Sequence, residues 1–321
     1  MFDFGWNSCT WYLFSVSRLF NLETLALCTQ ISHRWSTALL TSVDSTVIYQ
    51  SPRRITDSFL AAPVFKWCTH MRVRGEDVLI YDSVKAFYAA LSSFHRLRSL
   101  EICRNKNAFY CTLRENALQR IQELSVCHVF LNSSAFRGLL LGFGHLRILR
   151  LNNCYNYWEN LLGGEGTLTR LIRLGLEHLE IIQCSGCHVR EALSLTTHCS
   201  KLTVFHYESG WYEDLQSRLT DHVNLTELKL PLLTTEPLLG NFPNLSTLYL
   251  GSLSNREFLF ENISKFPKLR NIYFTSTLAE ELDNWSLQFP QLQIRIAATE
   301  ASRCGHFMSA EEIHAKYYFA Q

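Results

Sequence analysis

The stretch whose residue types and spacing come nearest to chemistry is "CSGCH", Cys184 to His188. It matches C-x-x-C-H, the spacing at which haem is attached covalently to two thiols. The same residues offer two thiolates and an imidazole to a metal ion, with His198 and Cys199 downstream as further donors. Two considerations turn the segment toward packing instead. It directly follows an apolar phrase at Leu179–Ile181, in a repeat where a small buried residue such as Cys is ordinary. Covalent haem also requires an exported chain, and the first residues do not read as an export signal. Cys184 and Cys187 are therefore expected to be buried or turn thiols, with no haem and no metal.

Other catalytic signatures are missing. There is no phosphate loop, no G-x-G-x-x-G after a strand, no H-E-x-x-H and no G-x-S-x-G. "GGEG" (Gly163 to Gly166) lacks the Lys-Ser/Thr that a phosphate loop needs. The expectation is a chain with no active site and no cofactor, which acts by binding.

Composition narrows the partner. Hydrophobic residues make up 47% and charged residues 18% of 321, enough for a large core. The net charge of +1 provides no bulk field for nucleic acid or an anionic membrane. No apolar run approaches the roughly 20 residues that span a bilayer. The opening "MFDFGWNSCTWYLFSV" is greasy but lacks a basic flank and carries Asp3. Eleven cysteines, an odd number, suit reduced apolar thiols better than a disulfide framework. Asn-x-Ser/Thr sequons at Asn132, Asn224, Asn244, Asn262 and Asn284 point the other way. Two of these sit inside a recurring "NL(T/S)" phrase and read as its by-product. A cytoplasmic or nuclear location is expected.

The elements that position such residues come from a repeat. The phrase L-x-x-L-x-L, with any apolar residue at its anchors, occurs at Leu97-Leu100-Ile102, Ile121-Leu124-Val126, Leu146-Leu149-Leu151 and Leu176-Leu179-Ile181. It recurs weakly at Leu202-Phe205-Tyr207, then at Leu225-Leu228-Leu230, Leu245-Leu248-Leu250 and Leu269-Ile272-Phe274. Successive first anchors lie 20 to 30 residues apart. An imperfect copy starts at Leu292, and an early one is read at Cys68-Met71-Val73. One strand followed by one helix at this period is the leucine-rich repeat. The last two anchors alternate with non-core positions, as a half-buried strand requires.

Between the phrases the spacing is helical. Val84, Phe87, Tyr88, Leu91 and Phe94 form one stripe, and Phe136, Leu139, Leu140 and Phe143 another. Shorter stripes are Leu259, Ile263, Phe266 and Leu282, Trp285, Phe289. Turns such as "FPNL", "FPKL" and "FPQL" use Pro to end the helix and favour an extended path; they resemble those of ribonuclease-inhibitor-like leucine-rich-repeat proteins. The glycines of Tyr155 to Leu168 predict a loop leaving the array, and "PLLTTEPLLGNFP" predicts a 3₁₀ turn in place of a helix. The fold class expected is α/β, a leucine-rich-repeat solenoid or horseshoe. Its parts are residues 51–90, a connection and first irregular repeat; 91–297, the repeats; and 298–321, a C-terminal cap opened by Ser309 with Glu312 as a capping box.

Ahead of the repeats, residues 11–50 read as short apolar helices. Leu22 and Leu25 begin one, and Trp35, Ala38 and Leu39 share a face of the next. Here the sequence resembles the F-box. "LFSV" (Leu13, Phe14 onward) is similar to the end of its first helix, and "LFNLETLALCTQ" to its L-x-x-L-x-x-L-x-x-V helix. "ISHRW" matches its V-(C/S)-x-x-W signature at Ile31, Ser32 and Trp35, and "TVIY" (Thr46–Tyr49) sits where the family runs into its first strand. The family's opening L-P-x-E-x-L-x-x-I has no counterpart before Trp11, so the resemblance is to an incomplete F-box. It implies a substrate-recognition subunit of a Skp–cullin–F-box ubiquitin ligase. Leu13, Phe14, Leu22, Leu25, Ile31, Trp35 and Leu39 would then contact a Skp-type adaptor of the cullin complex. The alternative is a protein-binding scaffold whose N-terminal helices only cap the solenoid.

The target protein would sit on the concave sheet face. Residues flanking the second anchor point away from the core. From these Glu123, Arg150, His178, Glu180, His206, Lys229, Tyr249 and Tyr273 are the candidate contacts: mixed charge, then aromatics at the C-terminal end. Trp211 and Tyr212, just past a strand, are expected to add a loop contact.

Overall fold

Every L-x-L pair of the repeat is a strand, and all of these strands belong to one sheet. The computed structural model describes residues 45–48, 69–74, 95–103, 118–129, 131, 133–154, 166–185, 187, 189–208, 221–233, 241–253, 263–274 and 285–296. Within them run eleven strands: β1 (Ser45–Ile48), β2 (His70–Arg74), β3 (Ser99–Cys103), β4 (Glu123–Cys127), β5 (Ile148–Asn152), β6 (His178–Ile182), β7 (Val204–Glu208), β8 (Glu227–Leu233), β9 (Thr247–Leu253), β10 (Asn271–Phe274) and β11 (Gln293–Ile296). They pair in sequence order, each parallel to the next. A parallel strand needs a long return, and the 20 to 30 residues between phrases supply it.

The register is the same at every step. One row of Cα partners runs Met71, Leu100, Leu124, Leu149, Leu179, Phe205, Leu228, Leu248, Ile272, Ile294. All but Ile294 are buried to 2% exposure or less. The third anchors, from Ile102 to Phe274, make a second buried row, and the first anchors, from Leu97 to Leu292, are buried as well. The early copy at Met71 and the imperfect one at Leu292 are both strands in this register. So is the segment beginning at Thr46, although its side chains and residues 11–44 lie outside the described residues.

Among the described residues, longer helices return the chain at α1 (Ser133–Leu141), α2 (Thr167–Leu174) and α3 (Val189–His198). Phe136, Leu139, Leu140 and Phe143 of the second stripe join one cluster with the strand anchors, so the helices cover the anchor face. Gly175 ends α2 at φ 66°, where its N–H meets the Ile172 carbonyl; only glycine adopts that conformation without strain. Helix α3 has no place among the stripes read from the sequence, yet Ala192, Leu195 and Cys199 fall on one buried face.

Of the stripe Leu259, Ile263, Phe266, Leu259 lies outside the described residues, and Ile263–Lys265 is a 3₁₀ turn that ends just before Pro267. Residues 285–288 are helical as expected, with Trp285 and Phe289 packed on the core. The expected 3₁₀ turn after β8, residues 155–165 of the glycine loop, the helix over 84–94 and the C-terminal cap fall outside the described residues, while Gly166 takes φ 89° and Thr167 and Leu168 already belong to α2.

Backbone ladders also join the repeats at the turn before each strand. The N–H of Gln122 donates to Arg98 O, Arg147 to Gln122 O, Glu177 to Arg147 O, Thr203 to Glu177 O and Thr226 to Thr203 O. Hydroxyls of Thr203, Thr226 and Ser246 double the last steps. Asn224 and Asn244 donate their amides to Ser200 O and Val223 O of the preceding repeat. The "NL(T/S)" phrase is thus a joint between repeats, which accounts for the two sequons it creates. The architecture is that of a leucine-rich-repeat solenoid.

Candidate functional site

The face of the sheet away from the helices carries the polar half of each strand. Its rows follow from the register: Ser99, Glu123, Ile148, His178, Val204, Glu227, Thr247 and Asn271 in one, and Glu101, Ser125, Arg150, Glu180, His206, Lys229, Tyr249 and Tyr273 in the other. All eight candidates named from the sequence for this face lie on it. Side chains on neighbouring strands stand close enough to pair across the ladder.

They form a connected strip. Arg150 places Nε 3.1 Å from Glu180 Oε2 and Nη1 3.8 Å from Glu123 Oε2. His206 lies between two carboxylates, with Nδ1 3.0 Å from Glu180 Oε1 and Nε2 2.8 Å from Glu227 Oε1. Lys229, itself buried, reaches Glu208 Oε2 at 2.9 Å. Past the charges the strip turns aromatic. The Tyr249 ring meets His206 edge-on at 5.7 Å and stacks on Tyr273 at 4.6 Å.

The protonation states follow from these contacts. Burial opposes the charge on Glu180, but the hydrogen bond and charge of His206, with His178 and Arg150, outweigh it and hold the carboxyl below its ordinary range. Burial likewise opposes a charged His206, and its hydrogen bonds to Glu180 and Glu227 overcome that and raise it. Glu227 is held down, first by the His206 hydrogen bond. His178 is pulled the other way by burial, so its 3.9 Å approach to Glu180 is a contact of a neutral ring rather than an ion pair.

Glu227, an outward flank of Leu228 though not one of the eight chosen contacts, and Glu208, outside the flanking set, complete the strip. Glu208 lies one step beyond the phrase, at the fifth position of β7, and extending the alternation by two residues would have reached it.

The two cysteines of "CSGCH" sit on the other side. Cys184 and Cys187 are buried, and Cys184 donates its S–H to Leu151 O at 3.2 Å. Cys154 does the same one repeat earlier, to Val126 O at 3.3 Å. Each follows a residue at positive φ, Asn153 or Gln183, that turns the chain off the strand. Burial pushes the Cys199 thiol up to about 11. The exposed His198 donates Nδ1–H to Ser194 O. Among the described residues, none of these belongs to a cluster of three metal donors. His188, Trp211, Tyr212 and the adaptor candidates Leu13, Phe14, Leu22, Leu25, Ile31, Trp35 and Leu39 lie outside the described residues.

No family model matches the chain, and a search of curated proteins finds no match. Among solved structures, the chain is similar to the crystal structure of an internalin from Listeria monocytogenes. That protein is 13% identical, and the alignment covers 79% of this chain and 74% of that one at a TM-score of 0.32. A likeness this loose says nothing about what the chain binds.

Proposed function

We propose that the chain is a protein-binding scaffold with no active site of its own, which holds a partner protein on the open face of its sheet. The observation that carries this is the strip from Glu123 to Tyr273. Fixed charges of alternating sign select a complementary partner, and a stacked aromatic pair provides anchor area at low entropic cost. The alternation leaves no continuous basic track, which favours a protein over nucleic acid as the partner. The test is to use the full chain as bait beside two variants, Arg150→Glu/Tyr249→Ala on the face and Leu141→Glu on α1. A partner lost by the first and kept by the second supports the reading. A partner lost equally by both, or by neither, ends it.

Within that reading we assign residues 11–50 the role that their F-box resemblance implies: docking a Skp-type adaptor and cullin complex in the cytoplasm or nucleus, with the bound protein a ubiquitylation substrate. The support is the sequence around Ile31 and Trp35. Co-expression with the adaptor tests it, comparing the chain with Trp35→Ala/Leu39→Ala at unchanged circular dichroism. If the intact chain does not bind, the scaffold reading stands without the ligase role.

A further inference from the structure

We propose that His178, Glu180 and His206 form a binding site for a divalent transition-metal ion of the zinc class. The three donors come from adjacent strands of the sheet. His178 and Glu180 are two residues apart on β6 and share its open face, and His206 is the register partner of Glu180 on β7. One donor atom from each lies within 4.8 Å of the other two. Glu180 Oε1 stands 3.0 Å from His206 Nδ1, and its Oε2 stands 3.9 Å from His178 Nε2. A tetrahedral ion with bonds of about 2.0–2.1 Å sets its ligands roughly 3.3 Å apart, so a shared ion requires the His178 ring to draw in toward the carboxylate oxygen that faces His206.

Three features favour an ion over a self-contained network. Nε2 of His178 is buried and has no hydrogen-bond partner, an arrangement that calls for an explanation and that a metal bond would satisfy. The second nitrogen of His206 donates to Glu227 Oε1 at 2.8 Å, the carboxylate backing that fixes a metal-binding imidazole. Two imidazoles and one carboxylate are a ligand set that zinc uses when one position is kept open. That position would face the open side of the sheet, where water or a partner's side chain can fill it. On binding, His206 gives its Nδ1 proton to solvent, and Glu180 can keep Oε2 on Arg150 while offering Oε1. The second donor cluster among the described residues, Glu101, Cys103 and Cys127, lacks such an unpaired donor: Cys103 S–H already bonds Glu101 Oε1 at 3.0 Å.

Cobalt(II) is the probe, titrated into the full-length, chelator-stripped chain. The expected result is one ion per chain with the visible bands of a tetrahedral nitrogen–oxygen site and no thiolate charge-transfer band. His178→Gln and His206→Gln should remove the ion at unchanged circular dichroism. Glu227→Gln should weaken binding about 10- to 100-fold, and Cys103→Ser should leave it unchanged. The inference is overturned if no ion binds, or if binding survives His178→Gln. It is also overturned if binding carries thiolate bands, or disappears in Cys103→Ser or His188→Ala. None of these outcomes depends on whether a partner protein occupies the face.

Discussion

Ile148 and Leu149 are adjacent, both apolar, and placed on opposite faces of β5, so truncating each to alanine reads the register directly. Leu149 is fully buried, flanked by Leu124 and Leu179, which are fully buried themselves. Strands on both sides hold those neighbours in place, so the cavity left by Leu149→Ala cannot collapse. The cost should fall in the upper part of the usual range, about 4 kcal/mol. Ile148 is half-buried on the open face and loses only part of its burial, roughly 1 kcal/mol. Urea unfolding followed by circular dichroism and tryptophan fluorescence together measures both, provided the two signals coincide. Equal midpoint shifts, or a larger one for Ile148→Ala, would refute the register, because a one-residue slip exchanges the two faces.

Four further outcomes are expected. Glu180→Gln should destabilise the chain by about 1–2 kcal/mol, because Arg150 and His206 lose the charge they share; thermal melts in metal-free buffer check it. A double-mutant cycle between Tyr249→Ala and Tyr273→Ala should return a coupling of about 0.5–1.5 kcal/mol, and a value of zero would deny the stack. Gly175→Ala should cost about 1 kcal/mol through its positive φ alone, since an added Cβ would meet only Lys201 Cδ at 3.7 Å. In mass-spectrometric alkylation of the native chain, Cys127, half-buried and with its thiol held down by the Cys103 hydrogen bond, should label ahead of Cys103, whose thiol the same contact pushes up, while Cys154, Cys184, Cys187 and Cys199 should react only on unfolding.

The strand rows were legible in the sequence because each repeat states its own alternation locally. Leu100, Leu124, Leu149 and their successors identify the buried row without reference to one another, and the residues on either side then fall on the open face. Cys184 was legible for the same reason: its distance from Leu179 and Ile181 marks the turn where a small buried thiol fits. The links across the strip were not. Glu180 and His206 are 26 residues apart, and only the shared register brings them to 3.0 Å. The His178–Glu180–His206 donor set was hidden in the same way, while the compact "CSGCH" drew attention to thiols that bond carbonyls in the core. Helix α3 escaped because its buried stripe includes Thr196 and the small Ala192 in place of large apolar residues.

The central claim, that the open sheet face holds a partner protein, is tested most directly by photocrosslinking in cells. A benzoylphenylalanine is placed at Tyr249 or Tyr273 on the face, or at Leu141, which is 44% exposed on α1. The account requires a discrete crosslinked partner at both tyrosine positions and none at Leu141. Crosslinks confined to Leu141, or absent from both tyrosines, would contradict it.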